Sequence, residues 1–311
     1  MEDEVARRAM LRYDLSPEAV VALINISENT TYRVDDPGTG RTAILRVHRP
    51  GYHAPDSIRS ELAWLTALRE DAGISTPKVI PARDGSLVVE GPRDCVMFEY
   101  LPGTEPPEHR LVEDFEELGA ITARMHEHAR RWRRPPGFTR FTWDYDAALG
   151  SVARWGRWQD GLGVGPAERE ILGRLDTTLR DRLARFGAGP ERFGLIHADL
   201  RLANLLTDGH GTSVIDFDDC GFGWYLYDLG AAVSFIEHYP QVPEMIDSWT
   251  RGYRSVLDLP AVDEQEIWTF VMFRRLLLVA WIGSHSSVDV ARELGAGYTR
   301  DSCDLAERFL T

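Results

Sequence analysis

Two short segments hold the residues whose chemistry is most readily inferred. Residues 197–204 read His-Ala-Asp-Leu-Arg-Leu-Ala-Asn, which places the carboxylate of Asp199 five residues before the amide of Asn204. Residues 214–219 read Val-Ile-Asp-Phe-Asp-Asp, so that Asp216 closes a short apolar run. Phosphoryl transfer requires a group that positions the attacking hydroxyl and oxygen ligands that hold a divalent cation. We therefore predict Asp199 as the catalytic base, with Asn204 and Asp216 as ligands of Mg²⁺.

Neighbouring polar residues leave alternatives open. Asp218 is either a contact of the metal site or a solvated turn residue. Asp228 either caps the helix that follows it or ties down the backbone of the loop that carries Asp199. His197 is expected to brace that loop through hydrogen bonds rather than to act as a base.

Composition indicates a soluble globular protein of 311 residues with a net charge of −14. An acidic surface repels nucleic acid and anionic membranes, so we expect neither as a partner. It favours a cationic substrate, although solubility alone also explains it. The N-terminal residues hold no apolar signal core, and the apolar run 276–282 is too short to span a bilayer. The three cysteines show neither close pairing nor metal-ligand spacing, which predicts a reducing cytoplasm.

The first third of the chain is typical of a small sheet with one long helix. Ser16 followed by Pro17 predicts a helix start, and residues 57–68 show helical periodicity. A hairpin is predicted from residues 24–34 and 42–48, joined by a Pro-Gly turn. Further strands are predicted over residues 78–81, 87–90 and 95–101.

After Gly103 the pattern becomes helical. The predicted helices cover residues 111–131, 145–158, 166–186, 226–238, 242–256 and 263–284, and the strands residues 205–207 and 213–217. This order predicts an α+β fold with two lobes, as in protein kinases. Residues 1–103 would form a β-rich nucleotide-binding lobe that includes a hinge. Residues 104–311 would form a larger helical lobe for catalysis and substrate.

Candidate nucleotide contacts lie in the first lobe. The turn after residue 26 includes Ser27 and Asn29, whose hydroxyl and backbone groups are expected to contact phosphates. Arg46 stands on the next strand, where it can pair phosphate oxygens in bidentate fashion, and Glu61 is its expected ion-pair partner. Phe98 and Tyr100 mark the predicted hinge, where backbone groups would read the adenine edge.

Three other features are better explained by structure than by binding. The two histidines in residues 125–128 are two apart and face different sides of a helix, so they form no metal motif. The arginines in residues 129–134 are interpreted as a helix C-terminus. Tryptophans could bind a cationic substrate by cation–π contact, but core packing is the favoured interpretation for most of Trp143, Trp155, Trp158 and Trp224.

On these residues the chain resembles the superfamily of aminoglycoside phosphotransferases and choline kinases, which are protein-kinase-like enzymes. The resemblance covers nearly the whole length and is firmest at residues 197–204 and 215–219. It also includes residues 28–32, 45–50 and 98–103, together with Glu61. Within the superfamily, the bacterial stress-response kinases and relatives of homoserine kinase are similar.

The resemblance implies a kinase that uses ATP or GTP, with Asp199 as base and with Asn204 and Asp216 on Mg²⁺. The chain departs from the family at Arg46, where most members have lysine. Ala198 stands where protein kinases have an arginine, and members that phosphorylate small molecules usually have a small residue there.

Three hypotheses follow. The first is a kinase of a hydroxyl on a small, cationic molecule such as an aminoglycoside, an amino alcohol or an amino acid. The second is a protein Ser/Thr kinase of the stress-response type, and the third is a nucleotide-binding regulator without activity. The sequence indicates no particular oligomeric state.

Overall fold

The computed structural model describes residues 2–26, 29–209, 211–286 and 288–311. The chain forms two compact units, each built from several segments. The first unit comprises Met1–Thr104, Arg133–Arg140 and Leu206–Asp218. The second comprises Glu105–Trp132, Phe141–Leu205 and Asp219–Thr311. An antiparallel sheet dominates the first and helices dominate the second, so the predicted α+β class is confirmed.

Helices and one sheet build the N-terminal part of the first unit. Its elements are α1 (Glu2–Met10), β1 (Val20–Ile26), β2 (Thr30–Asp36), β3 (Arg41–Val47), α2 (Pro55–Ala72), β4 (Val79–Ile80) and β5 (Cys95–Glu99). The strands are antiparallel in the order β1-β2-β3-β5-β4. The predicted hairpin is confirmed in its pairing, because β2 pairs with β3 from Thr30 opposite Val47 to Asp36 opposite Arg41. Its first strand begins at Thr30 rather than at residue 24, and residues 24–26 belong to β1. The turn of the hairpin includes Gly40 at a φ of 69°, a backbone angle that suits glycine.

Two predictions for this unit are wrong. No helix begins at Ser16, because its hydroxyl and backbone N–H both donate to the carboxylate of Asp36 on β2. The β-branched residues that follow then pair as β1. The predicted strand over residues 87–90 is reduced to a single bridge between Val89 and Cys95.

The rest of the chain is mainly helical. Its elements are α3 (Leu111–Arg131), β6 (Thr142–Trp143), α4 (Tyr145–Ala148), α5 (Pro166–Phe186), β7 (Phe193–Ile196), β8 (Leu205–Thr207), β9 (Thr212–Val214), β10 (Gly221–Trp224), α6 (Tyr225–Ala232), α7 (Val242–Arg254), α8 (Ala261–Glu264), α9 (Ile267–Ser284) and α10 (Asp289–Leu310). Helices α3 and α7 cross closely, since a Cβ at Gly119 would lie 2.0 Å from the Trp249 carbonyl oxygen. Glycine at this crossing allows the two backbones to approach.

The predicted bounds of α3 and α5 are confirmed, but other elements differ. The helix expected over residues 145–158 ends at Ala148, and Gly156 adopts a φ of 91° further on. The helix expected over residues 226–238 ends at Ala232, shortly before Phe235 at a φ of 73°. Residues 263–284 divide between α8 and α9. Strands β6, β7 and β10, which form a small sheet, and helix α10 were not predicted.

Helix α9 is the most buried long helix of the second unit. The stretch Ala261–Ser284 is long and apolar enough to cross a membrane, but 83% of its most apolar window is buried inside the protein. The apolar run visible in the sequence begins only at residue 276, because Arg274 and Arg275 precede it within the same helix. Burial of this kind is typical of a core helix.

Candidate active site

The loop that carries Asp199 is held by one buried carboxylate. Asp228, at 0% exposure on α6, accepts the backbone N–H groups of His197 at 3.1 Å and Ala198 at 2.7 Å. The ring of His126 on α3 lies 3.0 Å from the same carboxylate. Ala198 is thereby kept at a φ of 67°, which non-glycine residues rarely adopt. Of the two interpretations of Asp228, the structure therefore shows the one that ties down the loop.

We predict that Asp228→Asn lowers the free energy of unfolding by about 1–3 kcal/mol. The amide has nearly the same shape, but its NH₂ group would face backbone N–H donors that need an acceptor. Denaturant unfolding followed by circular dichroism would measure the change. The same substitution at the exposed Asp181 on α5 is the control and should change stability by less than about 0.5 kcal/mol. Equal stability of the two variants would contradict the prediction.

Asp199 itself is surrounded by donors. Its Oδ1 lies 2.5 Å from Nη2 of Arg274, and its Oδ2 lies 3.2 Å from Nε of Arg201 and 2.8 Å from Nδ2 of Asn204. Burial raises the pKa of Asp199, but the positive charges of Arg201 and Arg274 outweigh burial and leave that pKa below its usual value. Its backbone N–H donates to Nδ1 of His197 at 3.3 Å, the bracing role predicted for that histidine. An ionised carboxylate in this loop can accept a proton from a hydroxyl.

Asn204 is oriented by the same carboxylate. Its Nδ2 donates to both the carbonyl oxygen and Oδ2 of Asp199, each at 2.8 Å. The opposite amide orientation would set oxygen against oxygen, so the hydrogen bonds assign the nitrogen to this side. The amide oxygen therefore points to the other side and has the chemistry that a hard divalent cation prefers.

A buried ion pair joins β3 to α2 in the first unit. Nη2 of Arg46 lies 2.5 Å from Oε1 of Glu61, and both side chains are less than one-tenth exposed. The ring of Phe98 lies 5.1 Å from the Arg46 guanidinium carbon. Burial lowers the pKa of Arg46, but Glu61, Asp218 and Asp216 outweigh it and keep the group charged. Arg46 thus has the predicted partner, while its contact with phosphate stays a prediction.

The two acidic residues after β9 have different surroundings. Asp216 is 46% exposed at a φ of 61°, and its Oδ1 lies 3.7 Å from Nη1 of Arg46. Asp218 is buried, with its two oxygens each 3.4 Å from a ring nitrogen of His48 or His53. Burial raises the pKa of Asp218, but these histidines and Arg46 outweigh burial and hold that pKa well below its usual value. The interpretation of Asp218 as a solvated turn residue is therefore wrong.

The other residues predicted to contact the nucleotide are Ser27, Asn29 and those of the hinge. Ser27 lies outside the described residues. Asn29 is buried, and its Oδ1 accepts the backbone N–H of Arg49 at 3.0 Å, so this side chain fixes the end of β3. At the predicted hinge, the Glu99 N–H donates to the Lys78 carbonyl at 2.7 Å and the Tyr100 N–H to the Thr42 carbonyl at 3.4 Å. Other backbone groups of this segment would have to read an adenine edge.

Four tryptophans considered for substrate binding pack in the core. Each of these side chains is at most 5% exposed. They are Trp143, Trp155, Trp158 and Trp224. Trp155 faces a cation of the protein itself, since the guanidinium carbon of Arg274 lies 5.2 Å from its ring centroid.

Among the described residues, no group of three or more His, Cys, Asp or Glu side chains could hold a metal ion by itself.

Sequence reasoning missed Arg274, His48, His53 and Arg140. Arg140 donates to the Asp218 carbonyl and to Ser57, so it anchors the segment after Asp216. Only Arg274 had a usable signal, because a charged pair inside an apolar helix requires buried partners. The spacing of the other three gives no indication of their contacts.

Comparison with known proteins assigns the family. The profile of the phosphotransferase enzyme family (APH) matches residues 21–264, which is most of the chain. The chain therefore belongs to this family, and the predicted superfamily and phosphotransferase activity are confirmed.

Three individual kinases are similar to this chain over nearly its whole length. The solved structure of a microcompartment-associated aminopropanol kinase is 50% identical, with a TM-score of 0.91, and the match covers 99% of this chain and 97% of that one. Amicoumacin kinase from Bacillus subtilis (strain 168) is 26% identical over 96% of this chain and 91% of its own length. Amicoumacin kinase hAmiN, in complex with AMP-PNP, Ca²⁺ and Ami, shares the fold at 23% identity and a TM-score of 0.80, over 97% of this chain and 93% of that one.

Proposed function

We propose that this protein transfers the γ-phosphate of ATP to the hydroxyl of a small amino alcohol. The observation that carries the proposal is the geometry of Asp199, whose carboxylate is kept ionised and oriented by Arg274 and Asn204. Such a group can orient a hydroxyl and accept its proton as the phosphate is transferred. The 50% identity to an aminopropanol kinase over nearly the whole chain supports the acceptor class.

The remaining roles follow from the chemistry of each side chain. Arg46, fixed by Glu61, would contact nucleotide phosphates, and the oxygens of Asn204 and Asp216 would hold the cation. A divalent cation, when bound, neutralises negative charge that develops on the transferred phosphoryl group. The neighbour in complex with AMP-PNP and Ca²⁺ agrees with use of a nucleotide and a divalent metal. We propose ATP rather than GTP, and Mg²⁺ as the ion.

A second candidate acceptor is an antibiotic that carries an amine. The similarity to amicoumacin kinase supports it, at lower identity than the aminopropanol kinase. Both candidates are small molecules, and the net charge of −14 favours a cationic one. These similarities oppose the hypotheses of a protein kinase and of an inactive regulator.

We place this activity in the cytoplasm. Cys95, Cys220 and Cys303 are all buried and form no disulfide with one another, as expected in a reducing compartment.

The acceptor class can be tested by Mg²⁺-dependent ADP release. The panel contains 1-amino-2-propanol, ethanolamine, choline, homoserine, an aminoglycoside and a generic protein substrate. The matched control is 1,2-propanediol, which keeps the hydroxyl but lacks the ammonium group. We expect an amino alcohol to raise ADP release at least about tenfold above the diol, a difference of roughly 1.4 kcal/mol. Stimulation by the protein substrate alone would contradict the proposal.

A further inference from the structure

An arginine lies in the middle of the most buried long helix of the second unit. Arg274 on α9 has a side chain that is 2% exposed, within a helix whose other residues are largely apolar. Burial of a guanidinium is costly unless nearly all of its donors are paired. The partners of Arg274 therefore indicate why the charge is there.

Its partners lie mainly at the loop of Asp199. Nη2 contacts Oδ1 of Asp199 at 2.5 Å, and Nη1 contacts the Ala198 carbonyl at 3.3 Å. Nη1 also donates to the Tyr227 hydroxyl at 3.0 Å, and Nε donates to the Ser234 hydroxyl at 3.2 Å. Contacts at all three nitrogens hold the planar group in one orientation. One oxygen of Asp199 is thus fixed from a helix 75 residues later in the chain.

The next residue offers an internal comparison. Arg275 is as deeply buried on the same helix, but it pairs with Glu237 and donates to the Ser302 hydroxyl at 2.8 Å. Both arginines therefore have the polar partners that a buried guanidinium requires. Of these two, only Arg274 contacts Asp199.

The second oxygen of Asp199 has a different neighbourhood. Asn204 and Arg201 both donate to Oδ2, and a carboxylate oxygen has two lone pairs. The Arg201 side chain is 33% exposed, whereas that of Arg274 is 2% exposed. Asn204, the other donor to Oδ2, is buried and also donates to the Asp199 carbonyl oxygen. A hydroxyl that donates to Oδ2 would therefore replace the contact of Arg201, because the partly exposed Arg201 has room to move and Asn204 does not.

We propose that Arg274 is the positioning residue for Asp199, and that Arg201 holds the lone pair of Oδ2 to which the acceptor hydroxyl donates. This inference rests on the proposed function. On binding, the acceptor O–H replaces the Arg201 contact. In the transfer, the hydroxyl oxygen bonds to the γ-phosphorus as the bond to the β-phosphate oxygen breaks, and the hydroxyl proton passes to Oδ2. Arg274 keeps Oδ1, and so the whole carboxylate, in place throughout.

Steady-state kinetics of matched variants test the proposal. Arg274→Met is expected to lower kcat about 100-fold, with the KM for ATP within about threefold of wild type, and Arg274→Lys should regain part of the loss. Arg275→Met, the control, should change kcat less than about threefold even where it lowers thermal stability. Arg201→Gln should lower the KM for the acceptor, because the hydroxyl no longer replaces a guanidinium.

Chemical rescue adds a measurement that a merely structural role would not affect. Millimolar guanidinium, far below denaturing concentrations, should raise kcat of Arg274→Ala severalfold and leave Arg275→Ala unchanged. Equal kcat losses in the Arg274 and Arg275 series, or loss of folding in both Arg274→Lys and Arg274→Met, would overturn the proposal. Wild-type turnover is measured first, so that a failure of the proposed function is seen as the absence of any acceptor-stimulated rate.

Discussion

Replacement of Asp199 by asparagine is expected to lower kcat for phosphate transfer about a thousandfold, within the range usual for the loss of a general base. The amide keeps the shape of the side chain but accepts no proton. It also removes the negative charge beside Arg274 and Arg201, so two guanidinium groups lose their carboxylate partner. Quenched-flow measurement of product formation in a single turnover would isolate this step from product release.

Nucleotide binding separates a catalytic loss from a loss of folding. The asparagine variant should bind a fluorescent ATP analogue within about threefold of wild type, because uniform binding does not require the base. Asp181→Asn makes the same chemical change at an exposed position of α5 and serves as the control. A kcat of Asp199→Asn equal to that of Asp181→Asn would show that Asp199 takes no part in the reaction.

The second large effect is expected at Asp216. Asp216→Asn should raise the Mg²⁺ concentration for half-maximal activity by about 10-fold or more, because a neutral amide is a weaker ligand for a hard cation than a carboxylate. Asparagine is the informative substitution, since it tolerates the left-handed backbone at a φ of 61°. Alanine at this position would add backbone strain of about 1–2 kcal/mol, so the loss of a metal ligand could not be separated from the strain.

A magnesium titration of activity at saturating nucleotide measures this change. The control is Asp258→Asn, which removes an equal charge from an exposed loop. An unchanged magnesium requirement in Asp216→Asn, with wild-type kcat, would show that this carboxylate is not a metal ligand.

Sequence reasoning succeeded where the determinants are local. Helix α5 begins with a proline in its first turn and ends before Gly187, and both signals are readable along the chain. The segment 197–204 was recognisable because its chemistry depends on a fixed spacing between Asp199 and Asn204. Glu61 was expected to pair with Arg46 because kinases place a phosphate-binding residue on this strand and its ion-pair partner on the helix that follows.

Long-range contacts account for most of what was missed. Ser16 has the local features of a helix start, but Asp36 on a later strand binds its hydroxyl and N–H instead. For Asp218 the sequence left a contact of the metal site and a solvated turn residue equally open, because it gives no sign of His48 and His53, about 170 residues earlier, which lie against the buried carboxylate. Strands β7 and β10 contain glycines where neighbours approach, as at Gly194 beside the Tyr225 ring, and glycine weakens the strand signal.

Helix α10 was missed for a related reason. Gly295 breaks its regular backbone at a φ of 50°, and its sequence mixes charged and small residues. Its buried face includes Ser302, which receives the hydrogen bond of Arg275. Such a helix depends on its tertiary partners more than on its own periodicity.

The most direct test of the central claim is to identify the phosphorylated product. Protein, Mg²⁺ and ATP would be incubated with 1-amino-2-propanol, and phosphorus NMR with mass spectrometry would follow the γ-phosphate, with Asp199→Asn as blank. We expect a phosphate ester at the hydroxyl oxygen of the amino alcohol, formed with one ADP per ester and absent from the blank. Phosphate found only as the inorganic ion, or only on the protein, would contradict the account.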